Sequence, residues 1–218
     1  MNELPNVDGP EKVRGNDSDS VDGGTSVNSR VQNAVFVIFA CLCIAGCFVY
    51  AAVYYATNRS TEFEERIAPS FEITQWAQLP EGKEFLDVDD FRGKVLYIYC
   101  FQSQCHGCRE HGFPILQELN KNYKDDPDVA FVAIQTTFEG WEHNTFENAQ
   151  KEMERFELPE IPVGHSAVTG ERSPVMINFG TGATPWVVML DRRGIVAYNH
   201  YPMPVEKAVE IIEQLKES

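Results

Sequence analysis

Two thiols in Cys105-His106-Gly107-Cys108 stand just after the apolar run Val95–Phe101 and just ahead of a helical pattern, and this placement restricts the fold more than any other feature of the chain. A strand that runs into C-x-x-C at the start of a helix sets both sulfurs where a helix N-terminus offers unpaired N–H groups and roughly half a positive charge. A thiolate is stabilised there, so the first cysteine is expected to titrate below free cysteine. The two intervening residues let Cys108 reach back to Cys105 across the first turn. A strand followed by this tetrapeptide signals a redox site, far more than the tetrapeptide alone.

Other readings of the same four residues fare less well. A structural zinc needs four ligands, usually from two such pairs, and the other cysteines are Cys100, beside the motif, and Cys41, Cys43 and Cys47, inside a membrane-like run. Haem attachment requires a histidine directly after the second cysteine, and Arg109 stands there. A static structural disulfide stays open, as does copper held by Cys105, Cys108 and either His106 or His111. Cys100 reads as a buried, inert small residue of the strand, and Cys41, Cys43 and Cys47 as small hydrophobes of a helix.

Residues 1–30 are poor in large apolar side chains and rich in Asn, Asp, Ser and Gly. Such a segment cannot bury enough surface to offset its ordering entropy, which predicts a disordered tail. Residues 34–56 then contain no charge over 23 positions, enough at a rise of about 1.5 Å per residue to cross a hydrocarbon core of about 30 Å. The spacing predicts a transmembrane helix over 31–57. Tyr50, Tyr54 and Tyr55 gather at its C-terminal end, where aromatic rings favour the headgroup region, and Arg30 and Arg59 bracket it. Basic residues are too few on either side to orient the span, but the thiol pair favours a C-terminal domain outside the cytoplasm. Ile44-Ala45-Gly46-Cys47 also matches a bacterial lipobox. The long acidic tail and the apolar continuation through 48–56 argue instead for a spanning helix. Residues 58–69 read as a short stalk, and residues 70–218 as one domain.

The formal charge of −15 disfavours a nucleic-acid partner. Within 70–218, apolar runs alternate with amphipathic segments, the pattern of an α/β domain with a central mixed sheet flanked by helices. Residues 71–76 and 85–88 are predicted as a leading strand pair. Val95–Phe101 is near-continuously apolar, as expected of a central strand buried on both faces. Leu116, Leu119 and Tyr123 recur at helical spacing, residues 128–136 make the next strand, and Asn144 with Glu147 reads as the capping box of a helix whose apolar stripe is Phe146, Ala149, Met153 and Phe156. Trp186–Leu190 and residues 195–201 form a hairpin about Asp191-Arg192-Arg193-Gly194. Val205, Ala208, Val209, Ile212 and Leu215 stripe a closing helix. A βαβ half followed by a ββα half, with C-x-x-C at the first helix, is the thioredoxin arrangement.

Four segments, Phe91-Arg92-Gly93-Lys94-Val95, Cys105-His106-Gly107-Cys108, Ala183-Thr184-Pro185 and Asp191-Arg192-Arg193-Gly194, make residues 70–218 resemble the membrane-anchored thioredoxin-like proteins of the TlpA/ResA type in the redoxin superfamily. The resemblance implies a thiol-disulfide oxidoreductase on the bacterial cytoplasmic membrane, single-pass, with its C-terminal domain facing the periplasm or cell exterior. Cys105 would be the attacking thiol, Cys108 the resolving thiol and Pro185 the cis-proline opposite them. The partners implied are a disulfide-bearing protein substrate, a membrane redox partner that returns the pair to the dithiol, and the lipid bilayer; no cofactor is required. A proline at a strand entrance removes one ladder donor, leaving the Thr184 backbone free to pair with an incoming peptide, and Trp186 would wall the site. His106 and Gly107, between the sulfurs, are the residues expected to tune the couple, His106 by stabilising the Cys105 thiolate when charged; the other reading of His106 is a solvent-facing turn residue.

The chain departs from that family in three places. His111 stands where many relatives carry a glutamate, with the acid Glu110 one residue early. Pro114 lies six residues after Cys108 instead of five, with Gly112 between, which predicts an irregular start to the helix. Residues 137–184 are long and hold Trp141, His143 and His165, suggesting a lid or docking surface. Two further function classes stay in view: a peroxiredoxin-like peroxidase, although the usual Thr two residues before the reactive cysteine is replaced by Ser103, and a non-enzymatic thiol or copper-binding module on the same scaffold.

Overall fold

The computed structural model describes residues 66–218 and, of the preceding chain, Ala34, Val35, Ile38, Leu42 and residues 44–50. The chain divides into two units, residues 1–62 and 63–218. The expected tail over 1–30, most of the expected span over 31–57, and 58–65 of the expected stalk lie outside the described residues. The described positions in 34–50 are helical, and Val35, Ile38, Leu42, Ile44, Phe48 and Val49 expose their apolar side chains. Among the described residues no helix is long and apolar enough to cross a membrane.

In the C-terminal unit six strands make one sheet: β1 (Gln75–Ala77), β2 (Val95–Phe101), β3 (Val129–Thr136), β4 (Val163–Ser166), β5 (Trp186–Leu190) and β6 (Val196–His200), in the order β1-β4-β3-β2-β5-β6. β2, β3 and β4 are parallel, whereas β1, β5 and β6 join antiparallel. All seven residues of β2 are buried, because helices cover both faces of the sheet centre. Val95, Tyr97, Tyr99 and Phe101 point to one face, against α1 (Phe113–Tyr123), α2 (Phe146–Arg155) and α4 (Val205–Lys216). Leu96, Ile98 and Cys100 point to the other, against Phe71 and the short α3 (Pro174–Phe179). The period-two alternation of a strand thus divides one apolar run between two cores.

The hairpin forms as the sequence predicts. Gly194 N–H closes the turn on the Asp191 carbonyl at 2.8 Å, and the residue sits at φ 76°, a conformation that favours glycine. Residues 66–68, placed in the stalk from sequence, instead pair with the start of the hairpin's second arm through an Ile67–Ile195 bridge.

Three expectations are corrected. Residues 71–76 and 85–88 do not pair with each other: Glu72 at φ 54° interrupts the first, leaving only β1, which pairs with β4. In the second, Asp87 caps a 3₁₀ turn over Val88–Phe91 in a reciprocal capping box with Asp90, and Phe85 is exposed. Apolar content was read there as a strand where the local polar side chains dictate a turn. The third concerns α2, whose cap is Thr145, accepting from Asn148 N–H, and not Asn144. Asn144 is buried and serves the dithiol loop instead. Within 137–184, β4 and α3 are additional elements too short, and in β4 too polar, to show periodicity.

Asp87 also accepts from the Ser70 hydroxyl at 2.6 Å and from Phe71 N–H at 2.8 Å, so one carboxylate ties the entry segment to the 3₁₀ turn. Asp87→Ala is expected to lower stability by about 1–2 kcal/mol, measured by urea unfolding, with no change in the spectroscopic signature of the native sheet.

Candidate active site at the end of the central strand

β2 ends at Phe101 and the chain turns through Gln102, Ser103 and Gln104 into Cys105, at the carboxyl ends of the parallel strands, where α/β sheets place their sites. Cys105 and Cys108 are joined as a disulfide, with their Cα atoms 5.2 Å apart. Cys108 is fully buried and Cys105 is half-buried, so an incoming sulfur can reach Cys105 alone. Cys108 N–H donates to Cys105 Sγ at 3.1 Å, a helix N-terminal donor aimed where a thiolate would form.

The β2–β5 register pairs Cys100 with Trp186, and so brings the residues before β5 across from the dithiol. Thr184 O lies 3.6 Å from Cys105 Sγ, and the Thr184–Pro185 peptide bond is cis. A Cβ on Gly107 would stand 3.4 Å from Pro185 Cδ, an ordinary contact, so Gly107 packs against the proline without being sterically obligatory. His106 is exposed between the sulfurs. A cavity of about 390 Å³ opens beside Cys105, lined by Gln102, Gln104, Phe138, Glu139, Gly140, Asn144 and Thr184.

No family model matches the chain, and no curated protein does. Solved structures do. A thioredoxin-like superfamily protein aligns with TM-score 0.64 at 26% identity, over 70% of this chain and 97% of its own. A thiol-disulfide isomerase from Corynebacterium glutamicum aligns with TM-score 0.63 at 22% identity, over 71% and 98%. A thiol:disulfide interchange protein of the thioredoxin family from Chlorobium tepidum TLS aligns with TM-score 0.53 at 18% identity, over 72% and 99%. The fold is thioredoxin-like.

Of the residues singled out from sequence, this thioredoxin-like fold brings together Cys105, Cys108, Gly107, Thr184 and Pro185. It does not bring the Trp186 ring to the cavity. The indole is buried on the opposite face of the sheet, donates to Asn199 Oδ1 at 2.6 Å and stacks on His200 at 5.5 Å. Strand alternation explains this: Trp186 shares its side of the sheet with Cys100, away from the face that carries the dithiol helix. Cys100 is fully buried, and burial pushes its thiol up to about 12, so it stays protonated at neutral pH. Glu110 and His111 are exposed. Among the described residues no group of three or more His, Cys, Asp or Glu is arranged to hold a metal.

What sequence reasoning missed is a set of amides that pins the dithiol loop. Gln102 accepts from the Thr184 hydroxyl at 3.3 Å and donates to the Glu139 carbonyl at 3.0 Å, tying the loop to both walls of the cavity. Asn144 accepts from Gln104 N–H at 3.2 Å and donates to the Glu139 carbonyl at 2.9 Å. Within the 137–184 segment expected to hold a lid or docking surface, Glu139 and Asn144 are thus tied to the dithiol loop as one wall of the cavity. Beneath it, fully buried Gln135 accepts from Ser103 N–H at 3.0 Å and from the Ser103 hydroxyl, and donates to the Thr145 carbonyl at 2.8 Å. An N–H on one side and a carbonyl on the other fix which way this amide faces. Its nitrogen must then donate to His165 Nδ1, 3.1 Å away, which places the proton of a neutral His165 on Nε2. Amides in apolar-looking strands carry no periodicity, so only the depletion of polar residues around Gln135 in β3 offered a signal.

Burial lowers the affinity of His165 for a proton. An unfolded imidazole titrates near its ordinary value of about 6.5; the native one titrates lower, so the unfolded state takes up the proton first as pH falls. The contribution of a neutral His165 is complete above that value and is lost on acidification through it. Wild-type Tm is expected to fall between pH 7.5 and 5.5 more steeply than that of His165→Asn, whose Oδ1 accepts from Gln135 at any pH; scanning calorimetry across that range checks it.

Proposed function

We propose that the protein is a membrane-tethered thiol-disulfide oxidoreductase of the TlpA/ResA type, which reduces disulfides of extracytoplasmic protein partners through Cys105 and Cys108. The observation that carries this reading is the asymmetry of the pair: a half-buried Cys105 with an N–H donor on its sulfur, bonded to a fully buried Cys108. Attack requires an accessible thiolate, and resolution requires a second sulfur that partners cannot reach. Cys105 attacks one sulfur of the partner disulfide and releases the other as a thiolate. Cys108 then displaces the bound partner sulfur, and the pair ends oxidised.

The half-buried Thr184, which lines the cavity beside Cys105, supports docking of an extended peptide there. His106 and Gly107, next to the sulfurs, are the positions through which the potential is set. A membrane redox partner on the same side would return the disulfide to the dithiol. The tether is supported by the uncharged run 34–56 and by the exposed apolar side chains of its described helical residues; a C-terminal domain facing the periplasm or cell exterior suits the thiol pair.

Cys105→Ser is expected to abolish reduction of insulin disulfides, followed by turbidity with dithiothreitol as the electron source. Cys108→Ser is expected to accumulate a mixed disulfide on Cys105, visible as an added mass that dithiothreitol removes. Full activity in the Cys105→Ser protein would refute the assignment of the nucleophile.

A further inference from the structure

Cys108 occupies a turn one residue wider than an α-helix allows. Residues Cys108–Gly112 are π-helical, and the Cys108 carbonyl accepts from the N–H of Phe113, five residues on. This is where the extra residue between Cys108 and Pro114 goes. Turns of this kind are rare, usually single, and frequent at functional sites.

The wide turn has a specific partner in the core. The hydroxyl of Tyr99, a fully buried residue of β2, donates to the same Cys108 carbonyl at 3.2 Å. Gly112 makes the approach possible, since a Cβ there would overlap the Tyr99 ring. Burial, with smaller contributions from Tyr97, Cys100 and Glu152, holds the Tyr99 phenol well above its ordinary range, so it is a donor at any working pH. On the outer side, Arg109 is clamped to the buried Glu152 of α2 by two hydrogen bonds of 2.9 and 2.8 Å. The residue carrying the second sulfur is thus gripped from its carbonyl inward and from its neighbour outward.

We infer that Tyr99 is a positioning residue for the resolving step: its hydroxyl holds the Cys108–Gly112 turn in its wide form, so that Cys108 faces Cys105 when the disulfide is open. In the oxidised protein the S–S bond itself keeps the two residues in register. Once that bond is open, the Cys108 carbonyl is held by the Phe113 N–H and the Tyr99 hydroxyl, and the wide turn competes with the ordinary α-helical one. The inference rests on the exchange reading above. In the step concerned, Cys108 gives its proton to solvent and its sulfur bonds to Cys105. The partner's remaining sulfur leaves as a thiolate and is protonated by water, so the partner has gained two electrons and the dithiol has lost them.

The test uses the full-length chain in its reduced form with a disulfide-bonded peptide, quenched with acid and followed by mass, so that formation and decay of the mixed disulfide are timed separately. Tyr99→Phe removes one oxygen and nothing else; Tyr97→Phe does the same two residues earlier on the same core face. Tyr99→Phe is expected to form the mixed disulfide within twofold of the wild-type rate and to resolve it about fivefold more slowly, as the loss of one hydrogen bond implies, while Tyr97→Phe matches wild type in both. Wild-type resolution by Tyr99→Phe, equal slowing of both steps, or equal slowing by Tyr97→Phe overturns this inference alone. A wild-type chain that forms no mixed disulfide overturns the exchange reading and the inference with it.

Discussion

The complete burial of β2 is the constraint on which the site depends. Seven consecutive residues lie in the dry centre of the sheet, paired with β3 on one side and β5 on the other. A one-residue slip would send every side chain to the wrong core, so the register is strongly specified. With the register fixed, the end of β2 is fixed, and Cys105 emerges opposite Thr184 and Pro185 by necessity. The two cores therefore also act as the jig that aligns a pair of sulfurs with Thr184 and Pro185 beside them.

Over that apolar base the alignment is completed by hydrogen bonds. Gln102, Asn144 and Gln135 each use both ends of the amide to join the dithiol loop to a neighbour. Buried polar groups left unpaired are costly, so the network leaves the loop few other arrangements. Tyr99 extends the same logic below the second cysteine. Both sulfurs are thus positioned by contacts at the backbone, while the side chain of His106 between them stays exposed.

Much of this was legible in the sequence, for identifiable reasons. Val95–Phe101, the hairpin about Gly194 and the stripe of the last helix are governed by periodicity and turn chemistry, and these were read correctly. That Cys105 and Cys108 lie beside Thr184 and Pro185 was legible because motif and strand boundary coincide. The irregular helix start was visible as one residue too many before Pro114. The failures have a common cause: at Glu72, Asp87 and Thr145 a local backbone or side-chain choice overrules hydrophobic pattern, and the amide network joins residues far apart in the chain. Trp186 was misjudged because adjacency to Pro185 says nothing about which face a strand residue takes.

The central claim is that Cys105 and Cys108 open and close as one couple while Cys100 takes no part. It is tested most directly by equilibrating the native protein over a series of reduced to oxidised glutathione ratios, alkylating, and weighing the peptides. The account predicts that Cys105 and Cys108 pass together from fully alkylated to fully protected along a two-electron curve, with Cys100 unmodified throughout. Protection of both sulfurs at every ratio, or alkylation of both at every ratio, would contradict it.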